Sequence, residues 1–405
     1  MKRRTETSGR SWYWLVFTIF GIQGLFFATW VARTPEVQQK LGFDTAQMGL
    51  FAFVMSAGAL LGLFLCGPII ARFGTRIATL IGFPLAGAAL AGVGFAAEQG
   101  DVFSATVFIS IFGIAGGATG LAINIEGANV DRSSSKSLLP SIHGAFSVGT
   151  LVGGALGTLA IILNLSFSLM FTVISVALSI LAIVVSVRLP RDSGRHIASD
   201  MSTSDIQTIP SRTERLSVWK EPRTLAVAFI VVGFTLAEAT ASSWLPIALV
   251  DAGLGAAIAT GAYTVFAGTM MIGRLTGGPV VDRLGRSRAL AIFGVITAVG
   301  IFIVVATNFI ALPLIGAALW GLGNSLGFPM SVAAVSREPR LSSSRVNVLV
   351  VSSNVTGVTG PPILGFIGQS LGLFTAFIVP ALLVLAGLFA NKSTQEHVQQ
   401  IDQKS

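Results

Sequence analysis

Gly67-Pro68-Ile69-Ile70-Ala71-Arg72-Phe73-Gly74 returns 211 residues later as Gly278-Pro279-Val280-Val281-Asp282-Arg283-Leu284-Gly285. At the same separation Pro35 is answered by Pro246, and at 209 residues Ser133-Ser134-Ser135-Lys136 is answered by Ser342-Ser343-Ser344-Arg345. A Gly-Pro pair or a serine run alone is commonplace in loops. Three matches in one order at nearly one separation mark a duplicated unit. Each copy of the longest match directly follows an apolar run, so the duplicated unit is a set of apolar spans.

Composition says what solvent those spans face. Of 405 residues, 53% are hydrophobic and only 11% charged, and the mean hydropathy is +0.79. A soluble domain is about a quarter charged, so too few charges remain to cover a water-facing surface, and lipid is the solvent for most of the chain. Apolar runs of about 20 residues match a bilayer's hydrocarbon core. They fall near 12–33, 46–66, 76–97, 102–125, 141–163, 166–188, 223–247, 258–280, 288–307, 309–334, 346–368 and 371–391. The expected division is an N-terminal segment 1–11, a six-helix bundle 12–188, a polar linker 189–222, a second bundle 223–391 and a tail 392–405. The linker is rich in Ser, Thr, Asp and Arg, carries Pro190, Pro210 and Pro222, and has no apolar period, so it is expected to be solvated. Basic Met1-Lys2-Arg3-Arg4 precedes the first apolar run without a small-residue cleavage site after it, which predicts a retained helix.

With twelve spans, one face receives both termini and the even-numbered loops. That face holds 24 of the 26 basic residues; Arg33 and Lys40 alone fall on the other. The asymmetry predicts a bacterial inner-membrane protein with both termini cytoplasmic. Net charge +8 is therefore an orientation signal, and nucleic acid is not an expected partner. The single cysteine, Cys66, excludes an internal disulfide and a cysteine-based zinc site, and no cofactor or metal is expected.

The loop Gly278-Pro279-Val280-Val281-Asp282-Arg283-Leu284-Gly285-Arg286 resembles the major facilitator signature G-x-x-x-D-R-x-G-R. That family carries the motif between its second and third helices, with a degenerate copy between the eighth and ninth. Here the strengths are reversed, because Ala71 replaces the acid of the first copy. The resemblance covers nearly the whole chain in architecture. It implies an all-α membrane protein of twelve transmembrane helices in two pseudo-symmetric six-helix bundles, the major facilitator fold, working by alternating access. It also implies a latch at the cytoplasmic face built from Gly67, Arg72, Gly74, Gly278, Asp282, Arg283, Gly285 and Arg286. Gly67 and Gly278 are expected to permit tight helix ends. Asp282 is expected to pair with Arg283 or Arg286 and to face the start of the fifth span near Pro140-Ser141, a contact worth about 0.3–2 kcal/mol. The plainer alternative is that these loops set topology by charge alone. Ala122-Ile123-Asn124-Ile125-Glu126-Gly127-Ala128-Asn129-Val130-Asp131-Arg132, with His143-Gly144-Ala145-Phe146-Ser147-Val148-Gly149, resembles a bacterial branch of the same superfamily related to the fucose–proton symporters. The arginine in the fourth span and the Gly-Pro motif in the fifth that mark drug–proton antiporters are absent; Gly360-Pro361 lies in the eleventh.

Ionisable groups inside spans are expensive and default to functional candidates. Glu238, roughly 21 Å along the seventh span at 1.5 Å per residue, is the first choice for proton coupling or solute binding, against a neutral Glu bonded to a neighbouring helix. Glu126 and His143 are further proton-coupling candidates, with a solvated helix end and a capping or packing role as alternatives. Gln23, Asn124, Asn324 and Asn354 offer the paired donors and acceptors that a sugar-like solute needs. Trp30, Trp244 and Trp320 could stack on a ring, although Trp30 and Trp244 read first as interfacial anchors. Arg274 is expected to snorkel to the headgroups, and Arg33 to be a gate charge or an interfacial residue. The leading function is a secondary transporter of a small polar organic solute, a sugar or derivative, coupled to protons with sodium as the alternative ion. One copy, a monomer, would suffice. Efflux of amphipathic compounds and a transporter-derived sensor are the competing readings. An enzyme is not expected, and no nucleotide-binding Gly-Lys motif supports ATP-driven transport.

Overall fold

In a computed structural model of the chain the described residues are 9–134, 138–190, 193, 212–306, 311–336 and 341–390. The first half contains α1 (Gly9–Val31), a short α2 (Thr34–Leu41), α3 (Thr45–Phe73), α4 (Thr75–Glu98), α5 (Val102–Arg132), α6 (Leu139–Ile162) and α7 (Phe167–Ser186). After α8 (Arg212–Ser217) and a 3-10 turn come α9 (Pro222–Asp251), α10 (Ala256–Leu284), α11 (Arg286–Val305), α12 (Ala311–Asn324), α13 (Gly327–Val335), α14 (Ser342–Leu371) and α15 (Leu373–Phe389). Ten of these helices are long and apolar enough to cross a membrane. The apolar α15 and the broken pair α12–α13 complete twelve crossings among the described residues. Large apolar side chains such as Phe64, Phe103, Ile162, Val173 and Phe389 point outward, as a lipid-facing surface requires.

The duplication is visible in the packing. In the first half α1 packs on α6, α3 on α5, and α4 on α7; in the second half α9 packs on α14, α10 on α12, and α11 on α15. Small residues allow this in lipid, where close contact rather than hydrophobicity holds helices together. A Cβ at Gly117 would lie 1.8 Å from the Ala59 carbonyl oxygen of α3, and one at Gly321 would lie 2.1 Å from the Phe266 oxygen of α10.

The two faces turn their chain differently. On the face opposite the termini, side chains cap the helices. Asp44 and Gln47 form a reciprocal capping box, while Asp101 and Ser166 each accept from a backbone N–H of the following first turn. On the basic face the repeated loop turns at Gly74 and Gly285, with φ of 81° and 75°, where any side chain would be strained. This corrects the expectation for Gly67 and Gly278. Both lie inside helices, seven residues before those turns, with no atom within 4 Å of a Cβ built there.

Other boundaries also move. The second and eighth spans run on to Phe73 and Leu284, past the expected 66 and 280, because Pro68 and Pro279 sit within continuous helix. The tenth span is broken at Ser325-Leu326. The expected linker is not wholly solvated: Val218 is buried with Val227, Val231, Val335 and Val348, and Ser193 is docked on the first bundle. The rest of 191–211, the N-terminal residues 1–8 and the tail from 391 lie outside the described residues.

Two helix pairs make most of the contact between the halves, α6 with α10 and α3 with α14. The halves meet most tightly on the opposite face. Thr260 Oγ1 donates to the Ala32 carbonyl at 3.0 Å, and the Thr45 N–H donates to Gln369 Oε1 at 2.9 Å. Between these, a Cβ at Gly49 would be 3.1 Å from the Pro361 oxygen and 3.3 Å from Gly365 Cα. Toward the basic face Gly67, Gly278 and Gly357 meet nothing. The close contacts between the halves thus gather toward the opposite face, which is read as the closed one and the basic face as the open one.

Candidate solute pathway

The second half supplies a charged centre where three helices converge. Glu238, midway along α9, accepts from Arg274 Nη2 of α10 at 3.3 and 3.4 Å. Asn324 Nδ2, on the last residue of α12 before the helix break, donates to the same carboxylate at 3.4 Å. The Glu238 and Arg274 side chains are 39% and 31% exposed, so the pair borders open space. Asn324 is buried and its Oδ1 has no hydrogen-bond partner. Tyr263 is buried close enough for the Glu238 charge to act on it. Arg274 was expected to snorkel outward, and a partner for Glu238 was expected only as a neighbouring helix bonded to its neutral form. Instead each is the other's partner, because positions 36 apart on adjacent antiparallel helices meet at one depth.

Across the gap, His143 on α6 stands edge-on to Phe20 at 5.1 Å, within reach of the Arg274 charge. The neighbouring Gly144 lies beside Leu275, which fixes this approach of α6 to α10. Gln23 donates to the Gly116 carbonyl at 3.0 Å and accepts from Thr119 Oγ1 at 2.8 Å, staying within its own half. Asn124 is exposed and donates to the Gly120 carbonyl of its own helix. Asn354 is exposed on the face of α14 that, seven and eleven residues on, carries Pro361 and Gly365 against α3. It therefore borders the seam where the halves splay.

Glu126 has a different setting. It is fully buried and accepts from Trp12 Nε1 at 2.8 Å and from the Thr75 hydroxyl. The Thr75 N–H in turn donates to the Ser193 carbonyl at 3.0 Å. These contacts tie the starts of α1 and α4, the end of α5 and the linker together, and the carboxylate does not face the gap. Arg33 is likewise buried and satisfied, by Glu36 at 2.5 Å and the Leu165 carbonyl at 3.0 Å. The tryptophans also depart from expectation. Trp320 is wedged between Phe266 and Phe377 in the core, while Trp30 and Trp244 are buried between the halves, not at a lipid interface.

The latch residues are apart in this arrangement. Asp282 and Arg283 are exposed; Arg286 donates to the Ala333 carbonyl of its own half at 3.2 Å, and Arg72 lies over the Phe73 ring at 5.3 Å. Arg274 and Tyr263 are the functional candidates that sequence reasoning undervalued. Arg274 sits in a span with the spacing of a headgroup anchor, and only the fold brings it beside Glu238.

Comparison with known proteins gives these features a frame. The sequence profile described as Major Facilitator Superfamily matches residues 13–339 and 262–403. An uncharacterised MFS-type transporter of Yersinia pestis is 28% identical over 371 residues, 90% of this chain and 91% of that one. The membrane protein MosC of Rhizobium meliloti is 24% identical over 373 residues, 91% of this chain and 86% of that one. Among solved structures, the nucleoside transporter NupG superposes with a TM-score of 0.75 at 14% identity, covering 95% of this chain and all (100%) of that one. The Escherichia coli fucose:proton symporter FucP does so at 0.63 and 18% identity, covering 95% and 98%.

Proposed function

The chain belongs to the Major Facilitator Superfamily and is a multi-pass membrane transporter, and from that premise we propose that it carries a small polar organic solute, a sugar, nucleoside or derivative, coupled to protons. The observation that carries the reading is the Glu238–Arg274–Asn324 centre, set beside the gap between two bundles that close on one face only. A carboxylate held by an arginine has two states. Ionised, it binds Arg274; protonated, it releases Arg274 to donate to a solute oxygen, so proton and solute binding are linked. Asn324 Oδ1, buried without a partner, is the acceptor for a solute hydroxyl or amide. Gln23, Asn124 and Asn354 supply neutral contacts from the other walls, and His143 faces Arg274 across the gap as the second proton-handling group. Glu126 is better supported as a structural tie than as a coupling residue.

The basic face is cytoplasmic by the distribution of Lys and Arg, which makes this arrangement inward-facing. NupG, a nucleoside transporter, and FucP, a fucose:proton symporter, support the solute class by analogy, since both share the fold. Asp282, Arg283 and Arg286, with Arg72, Gly74 and Gly285 at the matching loop, form the latch that closes this face in the alternate state. The transporter works as a monomer, because one chain contains both moving halves.

Proteoliposomes loaded with a pH-sensitive dye test the reading. L-fucose, uridine, an organic acid and a cationic drug are added in turn to wild type and to Glu238→Gln. Fucose- or uridine-driven proton flux that the variant loses is the expected result. Flux with the drug alone would overturn the solute class, and uptake without proton flux would overturn the coupling.

A further inference from the structure

Resting on the transport reading, we propose a second solute-contact station on the opposite-face side of Glu238, at which the Trp244 indole N–H binds a hydroxyl or carbonyl oxygen of the polar solute. A pocket of about 20 Å³ lies there, walled by Trp30 of α1, Thr34 of α2, Met48 of α3, and Ser242 and Trp244 of α9. Its walls come from both halves, so its volume must change when the halves move. At its present size it has room for about one water molecule and excludes any organic solute.

Two observations mark it as more than a packing gap. Trp244 is fully buried, yet its Nε1 has no hydrogen-bond partner. Buried donors are rarely left so, and here the indole sits in the pocket wall. The pocket also lies on the line of the site below. Ser242 is one helical turn beyond Glu238 on the same face of α9, and its hydroxyl donates back to the Glu238 carbonyl at 3.1 Å. A solute entering from the opposite face meets Trp30 and Trp244 first and the charged centre next. The indole faces suit the apolar face of a sugar or base ring, and the N–H suits an oxygen at its edge. A Cβ built at Gly365 of α14 would lie 3.1 Å from Trp244 Cζ2, so the ring is held by its own half, and the station collapses when Trp30, Thr34 and Met48 of the other half close over it.

The test compares the two faces of the membrane. In proteoliposomes, Trp244→Phe keeps a ring and loses the N–H. Half-saturation for L-fucose or uridine presented from the opposite face is expected to rise about three- to tenfold, the range for one lost neutral hydrogen bond, and to stay unchanged from the basic face. An equal rise from both faces, or none, overturns the station. A second measurement needs no turnover: Ser242→Cys in a Cys66→Ser background is labelled with a membrane-impermeant maleimide from the opposite face. Millimolar fucose or uridine is expected to slow that labelling; labelling that neither slows overturns the proposal. Wild-type vesicles that move neither probe refute the transport reading for these solutes, a result separate from the labelling arm.

Discussion

Gly49→Ala is expected to shift the molecule away from the arrangement closed on the opposite face. The three nearest atoms a Cβ at this position would meet all belong to the other half: Pro361 oxygen at 3.1 Å, Pro362 Cα at 3.2 Å and Gly365 Cα at 3.3 Å. These are backbone atoms of α14, which cannot swing aside as a side-chain tip can. Overpacking of this kind costs about 1–3 kcal/mol. Alanine also favours helix over glycine by about 1 kcal/mol, but α3 is helical in both arrangements, so that gain cancels. The net cost falls on the closed state alone and lowers its population ratio by about 5- to 150-fold.

Spin labels at Gln39 and Ala252, both exposed on the opposite face and in different halves, report the change as a distance. The wild type should give a short distance and Gly49→Ala a longer one, with the separation on the basic face shrinking. Gly117→Ala is the control. Its Cβ would meet Ala59 oxygen at 1.8 Å within the same half, so it should lower the folded yield without redistributing the remaining molecules. An unchanged distance in well-folded Gly49→Ala would refute the argument that backbone packing at this seam sets the closed state.

Glu238→Asp, shorter by one methylene, should retain some solute-driven proton flux and Glu238→Gln none; equal flux in both would remove the carboxylate from coupling. Glu126→Gln should lower the thermal midpoint in detergent while the folded fraction keeps its solute-to-proton ratio, and a changed ratio would return Glu126 to the transport chemistry. Glu221 accepts from Arg345 at 2.8 and 2.9 Å, tying the start of α9 to the start of α14. That hydrogen bond holds its carboxyl below the ordinary range, and burial opposes it only in part. Because the folded pKa is depressed, the stabilisation is complete above the unfolded value of about 4.3. It fades as pH falls through the folded value. Melting curves between pH 6 and 3 should therefore show a steeper acid loss in wild type than in Glu221→Gln, and parallel curves would count against the tie.

Much of the architecture was legible because lipid imposes simple rules. Span length, one-sided basic charge and a repeat near 211 residues each depend on sequence position alone. Helix ends were less legible: the expected spans ended at 66 and 280, yet the helices run on to Phe73 and Leu284 with Pro68 and Pro279 inside them, and the turn falls to Gly74 and Gly285. Glu238 and Asn324 could be picked out as polar groups in apolar spans, but their union with Arg274 depends on the depth at which α9, α10 and α12 cross. Glu126 was hard to place for the opposite reason. Its resemblance to a symporter segment gave it a role in the cavity, whereas its contacts with Trp12, Thr75 and Ser193 come from elements far away in sequence. Trp30 and Trp244 read as interfacial because position along a span gives depth, not the direction a side chain faces.

The departures from internal symmetry bear on which face is closed in this structure. Both faces have a seam between α3 and α14 and another between α6 and α10, so a symmetric molecule would have two comparable closures. On the opposite face, the closure consists of backbone packing at Gly49 and Gly365 plus hydrogen bonds from Thr260 and Thr45, none of which depends on charge. On the basic face, closure relies on loop charges, and Ala71 removes the acid from one of its two copies. The remaining acid, Asp282, is solvated, and such a contact is worth about 0.3–2 kcal/mol at best. Like basic charges crowd the same face and oppose its closing, an effect that salt screens over roughly 8–10 Å. The uncharged seam therefore outweighs the charged one, and the bundles splay on the side where Arg72, Arg283, Arg286 and Arg288 gather.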